Sequence, residues 1–376
     1  MMTIKGKYNS ALIMSDHLDE ATLSQLYLMM EQPSLRGEPF RIMADAHAGK
    51  GSCVGFTFKM NEYIIPNLCG VDIGCGIYGY NLGDIDVDFK GLDSFIRENI
   101  PSGFNINHSF NNQFDLPTEI IKNINSIISK LSLDNAKVFY SLGTLGGGNH
   151  FIELNKDPDG NIWLVIHSGS RNFGLQVCNY HQKKAKEFVD KALITGIPNG
   201  MEYLPIDMGG QEYLEDMNVA QLFAHYNREI IARVICEGFF NIDLPEDRIL
   251  SVHNYINFED KIIRKGAIQA NLGQRCIIPF NMRDGIAVCI GKGNKKWNNS
   301  APHGAGRIMS RSQAKKEINL EDYKKSMEGI YSSCVKNSTI DESPFVYKEY
   351  SEVINNMQET VDVQFIMKPI YNFKAS

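Results

Sequence analysis

The chain has 376 residues, of which 43% are hydrophobic and 22% are charged, values that are ordinary for a globular protein. Its formal net charge of −6 excludes a global attraction to nucleic acid or to anionic membranes, so any polyanion must be held by a local basic patch. The chain shows no signal-peptide pattern and no membrane-length apolar run, and its eight cysteines lack paired spacing, so we expect a cytoplasmic protein with free thiols.

The first half of the chain alternates between predicted helices and strands. In order, the periodicity of apolar residues predicts a helix over 20–31, strands over 41–47 and 52–58, a helix over 118–131 and a buried strand over 161–167. The last strand runs into a predicted loop, 168–174, that contains glycine, serine and asparagine.

The second half contains the longest predicted helix and several short strands. The predictions are a helix over 215–239, strands over 249–258, 275–280 and 286–293, a helix after Gly306 and a final strand over 361–374. No repeat, linker or shift in composition marks a domain boundary. We therefore predict one α+β domain over residues 1–376.

Polar residues able to bind metal or phosphate recur among glycine, serine and asparagine at predicted strand ends. The segments are 45–51, 70–76, 143–154, 165–174 and 300–311, together with 251–256, where His253 lies in a β-branched and aromatic run. Glycine allows close approach of a ligand to the backbone, and successive N–H groups in such loops bind anions. These loops are therefore the candidate site.

One carboxylate, one thiol and three imidazoles stand out in these segments: Asp72, Cys75, His150, His167 and His253. This mixed set suits a divalent ion such as Mn, Zn, Fe or Co, and its dispersal argues against a zinc finger. A thiolate can bridge two cations, which also allows a two-metal site that acts on phosphate. A lone histidine is more often a hydrogen-bonded core or surface residue than a ligand, but the shared glycine, serine and asparagine setting of these three favours ligands.

Several cations are candidates for binding phosphate: Lys50, Arg171, Lys265, Lys292, Lys295, Lys296, Arg307 and Arg311. The basic cluster at 291–297 fits a solvated hairpin tip equally well. No Walker A or dinucleotide fingerprint occurs. His303, which precedes a Gly-Ala-Gly turn, fits a ligand, a base or a nucleophile.

Taken together, these motifs resemble the RtcB-type RNA ligases. The matching stretches run in family order from residue 45 to about residue 354: DAHAGKG, GVDIGCG, GTLGGGNHFIEL, IHSGSR, VHNYI, RKGA, HGAGRIMSR and YKEYSEVI. The resemblance implies a single α+β domain with central mixed β-sheets flanked by helices. It also implies a Mn²⁺- and GTP-dependent ligase that acts in RNA repair or tRNA splicing.

The implied substrates are RNA with a 2′,3′-cyclic phosphate or 3′-phosphate end and RNA with a 5′-hydroxyl end. The implied route passes through a histidine–GMP adduct, in which His303 matches the nucleophile and Asp45 the carboxylate that orients it. Two Mn²⁺ ions would be held by the ligands Asp72, Cys75, His150, His167 and His253, with Cys75 bridging them.

The resemblance also implies nucleotide and RNA contacts. Asn149 matches a phosphate contact of the nucleotide, Glu153 the acidic residue that binds the guanine edge, and Lys265 a contact to the GTP phosphates. Residues expected near the guanine are Tyr347 and Lys374, and those expected to hold RNA phosphates are Arg171, Arg307 and Arg311. Some family members are assisted by an archease-type activator, and no membrane partner is implied.

One segment departs from the family pattern. Phe280 and Asn281 stand where the family usually has glycine and serine, and Arg283 nearby could add a phosphate donor. This departure indicates a divergent branch, which favours repair over splicing of tRNA. A different function for the same residues is a metal-dependent phosphohydrolase or cyclic phosphodiesterase that acts on RNA ends without guanylylation. A third is a non-catalytic protein that binds RNA ends.

Overall fold

The computed structural model describes residues 1–15, 17–109 and 116–375. The strands are β1 (Met2–Lys5), β2 (Ser10–Ile13), β3 (Phe40–His47), β4 (Val54–Lys59), β5 (Tyr63–Ile64), β6 (Gly76–Gly83), β7 (Phe151–Lys156), β8 (Ile162–Ser168), β9 (Leu204–Pro205), β10 (Arg248–Val252), β11 (Asn254–Asn257), β12 (Ile262–Lys265), β13 (Ala267–Gln269), β14 (Arg275–Asn281), β15 (Gly285–Gly291), β16 (Ser300–Pro302) and β17 (Val361–Lys374). The helices are α1 (Glu20–Met30), α2 (Phe89–Asn99), α3 (Thr118–Leu131), α4 (Asn135–Tyr140), α5 (Arg171–Lys191), α6 (Gly210–Ile235), α7 (Arg311–Glu317), α8 (Leu320–Ser326) and α9 (Tyr350–Met357).

Two sheets organise these elements. The first has the order β1-β2-β3-β4-β12-β11, in which only β2 and β3 run parallel. The second is antiparallel throughout, with the order β10-β6-β8-β7-β17-β15-β14. Two further sheets have two strands each, β13–β16 and β5–β9.

The register of the second sheet brings the ends of several strands together at one edge. Gly76 pairs with both Val252 and Ser168, and Phe151 pairs with both His167 and Lys374. Because neighbouring strands are antiparallel, the starts of β6 and β7 meet the ends of β8, β10 and β17 there. This edge carries most of the predicted metal ligands.

Helix α6 covers this sheet and packs against α5 and β8. Ile231 and Ile235 of α6 join a buried apolar cluster with Ile152 and Ile166 of the sheet. The helix is buried along most of its length, including Arg228, which is unusual for a charged residue. The site edge therefore rests on a helix that is itself part of the core.

The predicted α+β class is confirmed, and most predicted elements match within a few residues. The predicted loop over 168–174 is wrong from Arg171 onwards, where α5 begins. The single strand predicted over 249–258 is two strands, β10 and β11, interrupted at His253. In the described part of the chain, no helix is both long and apolar enough to cross a bilayer.

The sheet core gives a stability prediction. Ile166 lies fully buried in β8 between Tyr78 and Ile152. Because Ile166→Ala leaves a cavity, we expect it to lower the free energy of unfolding by about 2–5 kcal/mol, as measured by urea titration. Lys156→Ala, at an exposed position of β7, is the control and should cost less than about 0.5 kcal/mol. Equal losses in both variants would contradict this placement of the core.

Candidate active site

Five donor side chains meet at the sheet edge. The Sγ atom of Cys75 lies 3.4 Å from Nε2 of His150 and 3.3 Å from Nε2 of His167. Nε2 of His167 is 3.0 Å from Nε2 of His253, and Nε2 of His150 is 3.1 Å from a carboxylate oxygen of Asp72. They form two triplets of donor atoms, each within 4.8 Å, and both triplets contain Cys75.

Hydrogen bonds on the far side of two rings fix the histidine tautomers. Nδ1 of His150 donates to the carbonyl oxygen of Leu145 at 2.9 Å, and Nδ1 of His167 donates to that of Asn149 at 3.2 Å. Because a carbonyl oxygen only accepts, each Nδ1 carries the proton and each Nε2 presents a lone pair to the cluster. Such backbone partners commonly orient metal-binding histidines.

The electrostatics of the cluster suit a cation. Burial, reinforced by the neighbouring charge of Asp72, raises the pKa of the Cys75 thiol well above its usual value. Burial also lowers the pKa values of His167 and His253 well below the usual range, so both rings are neutral. Neutral imidazoles are ready ligands, while a buried thiolate needs a nearby positive charge. The donor set therefore fits one or two borderline divalent ions.

Asp72 is contacted on both of its carboxylate oxygens. Its Oδ1 accepts a hydrogen bond from the backbone N–H of Ser170 at 3.1 Å, while its Oδ2 faces His150. Burial opposes ionisation, but the contact with the His150 ring and the nearby positive charge of Arg171 keep the pKa of Asp72 below its usual value. A Cβ atom at Gly169 would lie 2.2 Å from Oδ1, so only glycine leaves room for this carboxylate.

His303 lies beside this cluster, paired with Asp45. Its ring centroid is 4.7 Å from that of His253, and its Nδ1 is 2.6 Å from Oδ2 of the buried Asp45. The same oxygen accepts hydrogen bonds from the backbone N–H groups of His303 and Gly304. The carboxylate therefore holds the proton on Nδ1 and leaves Nε2 with a free lone pair.

Three of these groups, His167, His253 and His303, border one cavity of about 330 Å³. Residues from both sheets line it, and those predicted for nucleotide or RNA binding are Asn149, Glu153, Lys265, His303, Arg307, Arg311, Tyr347 and Lys374. The structure therefore brings these predicted residues together with His167 and His253 of the donor cluster. Their individual roles stay predictions.

Glu153 is the buried acid of the cavity. Its two carboxylate oxygens accept hydrogen bonds from the side-chain amides of Asn155 and Asn372. Burial raises the pKa of Glu153 to about 7, although the charge of Lys374 opposes the shift. This carboxylate is therefore poised to change its charge near neutral pH.

A second buried acid, Glu342, contacts several cations that line the cavity. Sequence patterns did not point to this residue. Its carboxylate lies 3.3 Å from Lys374, 3.0 Å from Arg311 and 3.4 Å from Arg307. It also accepts a hydrogen bond of 2.7 Å from the hydroxyl of Tyr347. The charges of Lys374 and Arg311 outweigh burial and keep its pKa below the usual value. No glycine-rich pattern surrounds it, so only the three-dimensional arrangement reveals it.

The remaining predicted cations differ in position. Arg171 does not line the cavity: it lies behind the donor cluster, where its Nε donates to the hydroxyl of Thr144 and its guanidinium borders the His150 ring. Lys265 lines the cavity but donates to the carbonyl oxygens of Lys50 and Ser52, which fixes the loop after β3.

The basic cluster at 291–297 forms a turn whose lysines pair with residues just before β17 and at its start. Lys292 bonds to the carbonyl oxygen of Gln358 and to Asp362, and Lys296 bonds to Glu359. The solvated-turn interpretation therefore describes it better than phosphate binding does.

The segment that departs from the family pattern covers the end of β14 and the turn that leads into β15. Phe280 and Asn281 line the cavity, and Phe280 packs against Tyr350. Arg283 instead forms an ion pair with Asp284 at 2.7 Å, which occupies its guanidinium. His47, not singled out from the sequence, also lines the cavity, and its Nδ1 contacts the carbonyl oxygen of Asp45.

Comparison with known proteins gives consistent matches over most of the chain. The family model described as tRNA-splicing ligase RtcB matches residues 29–375. An RNA-splicing ligase RtcB of Escherichia coli strain K12 is 30% identical over 370 residues, which cover 89% of each chain. A tRNA-splicing ligase RtcB of Archaeoglobus fulgidus is 26% identical over 84% of this chain and 82% of the relative. One of Aeropyrum pernix is 28% identical over 83% of this chain and 82% of the relative.

The geometry predicts a metal–thiolate bond at Cys75. We expect Co²⁺ added to the purified protein to produce a near-ultraviolet thiolate-to-metal absorption band, which Cys75→Ser abolishes because the sulfur is gone. Cys178→Ser is the matched control, since Cys178 is buried and its thiol contacts Asn67 rather than the cluster. A band that survives Cys75→Ser would show that Co²⁺ binds elsewhere.

Proposed function

The chain belongs to the RtcB family of RNA ligases, and on that premise we propose that it joins RNA 2′,3′-cyclic phosphate or 3′-phosphate ends to 5′-hydroxyl ends with GTP and Mn²⁺. The observation that carries the proposal is the His303–Asp45 pair, which lies beside a five-donor cluster and opens into one cavity. RNA repair and tRNA splicing are both compatible with this chemistry. We expect a cytoplasmic protein, and an archease-type activator stays a prediction.

His303 is the proposed nucleophile. Its Nε2 attacks the α-phosphorus of GTP, so that an N–P bond forms while the bond to the bridging oxygen breaks and pyrophosphate leaves. Asp45 supports this step because it keeps the proton on Nδ1 and stabilises the positive charge that develops on the ring. When bound at the donor cluster, Mn²⁺ would draw negative charge from the phosphate oxygens.

The next steps move GMP to the RNA and then release it. An oxygen of the RNA 3′-phosphate attacks the adduct phosphorus, and the bond to His303 breaks. The 5′-hydroxyl then attacks the RNA phosphorus, losing its proton to water, and GMP leaves with the electrons of the broken P–O bond. A cyclic phosphate must first be opened by hydrolysis to a 3′-phosphate.

Two groups of side chains support binding in this proposal. Glu153, in its ionised form, would accept hydrogen bonds from the guanine edge, which adenine cannot donate in the same pattern. Arg307 and Arg311 border the same cavity and would hold RNA phosphates as bidentate donors. Glu342 holds both arginines in place before RNA arrives.

The nucleophile can be tested by guanylylation. We expect the protein, incubated with Mn²⁺ and GTP labelled at the α-phosphate, to acquire an acid-labile label that His303→Ala loses completely. His225→Ala is the control, because His225 pairs with Tyr78 outside the cavity. A label that persists in His303→Ala would contradict the assignment. Opening of cyclic phosphates without GTP and without any adduct would instead support the phosphohydrolase.

The environment of Glu153 predicts a pH dependence of GTP binding. With a pKa of about 7, Glu153 is ionised above neutrality and loses its acceptor capacity as the pH falls. We expect GTP affinity, measured by calorimetry relative to Glu153→Gln, to fall about tenfold between pH 8 and pH 6. The Gln variant has no titrating group at this position, so a constant ratio of the two affinities would argue against the role of Glu153.

A further inference from the structure

Two adjacent residues of α6, Asn227 and Arg228, lie behind the donor cluster, and the proposed chemistry gives them no part. Both are fully buried, and both direct their side chains to the backbone of segments that carry metal-ligand candidates. We propose that this pair positions the ligand loops and thereby sets the affinity of the cluster for divalent cations. The inference rests on the proposed function for the identity of the cluster as a metal site.

Arg228 links the two loops that border Cys75 and His167. Its Nη1 donates to the carbonyl oxygen of Gly74 at 2.7 Å and to that of Ser168 at 2.6 Å. Gly74 immediately precedes Cys75, and Ser168 immediately follows His167. A single nitrogen therefore ties together the backbone on which two ligands of the same triplet are mounted.

The setting of Arg228 favours this role over an ordinary ion pair. In the described part of the chain, no carboxylate lies within 4.0 Å of its guanidinium. The group instead stacks on the ring of Tyr78 at 4.2 Å, which holds its plane. Burying a cation without an acid is costly, and the two carbonyl contacts together with the Tyr78 ring offset that cost.

Asn227 holds the third ligand loop. Its side-chain amide donates to the carbonyl oxygens of Thr144 and Gly169 and to Oγ of Ser168, and its Oδ1 accepts from the N–H of Thr144. Ser168 Oγ in turn donates to the carbonyl oxygen of Leu145 at 2.8 Å.

That carbonyl oxygen of Leu145 also fixes the tautomer of His150. The amide of Asn227 is therefore connected to a metal-ligand candidate through one hydroxyl and one carbonyl. Together the two residues reach the loops of Cys75, His150 and His167 from a single turn of one rigid helix. Outer partners of this kind typically change metal affinity 10- to 100-fold when removed.

The test is a Co²⁺ titration of the full-length protein in the absence of GTP and RNA. The absorbance of the cobalt–thiolate band monitors binding. We expect Arg228→Met to weaken Co²⁺ binding about 10- to 100-fold, and Asn227→Asp to weaken it to a similar extent. The Co²⁺ affinity of Arg228→Lys should lie between those of Arg228→Met and the wild type. Arg233→Met is the matched control on the same helix, since Arg233 pairs with the exposed Glu237 on the surface, and it should bind like the wild type.

Circular dichroism confirms folding in each variant, and if Arg228→Met does not fold, Arg228→Lys and Asn227→Asp decide the outcome. Folded variants of both residues that bind Co²⁺ with wild-type affinity would overturn the positioning role while leaving the metal centre intact. A wild-type protein without any cobalt–thiolate band would overturn the metal centre of the proposed function as well. The two failures are therefore distinguishable.

Discussion

The Sγ atom of Cys75 belongs to two sets of donor atoms, and the strand pairing of the second sheet brings both sets to it. His150, which directly precedes β7, and His167, at the end of β8, approach it to 3.4 and 3.3 Å. A register shift of one residue in β8 would turn His167 to the opposite face of the sheet. The cluster therefore depends on the pairing of β6, β7 and β8 as a whole, and no single loop could form it.

The cavity has two sides of different electrostatic character, and this division suits a polyphosphate. On one side, burial keeps the histidines neutral and leaves lone pairs for cations. On the other side, Glu342 gathers Arg307, Arg311 and Lys374 into a fixed arrangement. Because these cations are already oriented, little reorganisation is needed when a phosphate replaces part of the carboxylate contact, which is the condition for effective electrostatic catalysis.

Local patterns predicted much of the fold and the candidate residues, but not their arrangement. Apolar periodicity placed the helices Glu20–Met30 and Thr118–Leu131 correctly, since one face of each must be buried. Helix Arg171–Lys191 was missed because its first turn carries the Asn172 and Gly174 that usually indicate a loop. Glu342 gave no signal, since the cations that it holds, among them Arg311 and Lys374, are distant from it in the chain. Asn227 and Arg228 are hidden for a similar reason, within an otherwise ordinary amphipathic helix.

The most direct test of the shared-thiol account is anomalous diffraction at the manganese edge from crystals grown with Mn²⁺ and GTP. The account predicts two anomalous peaks on either side of the Cys75 sulfur, one bordered by Asp72 and His150 and the other by His167 and His253. Ions bound away from Cys75, or a Cys75 sulfur outside bonding distance of any peak, would contradict it.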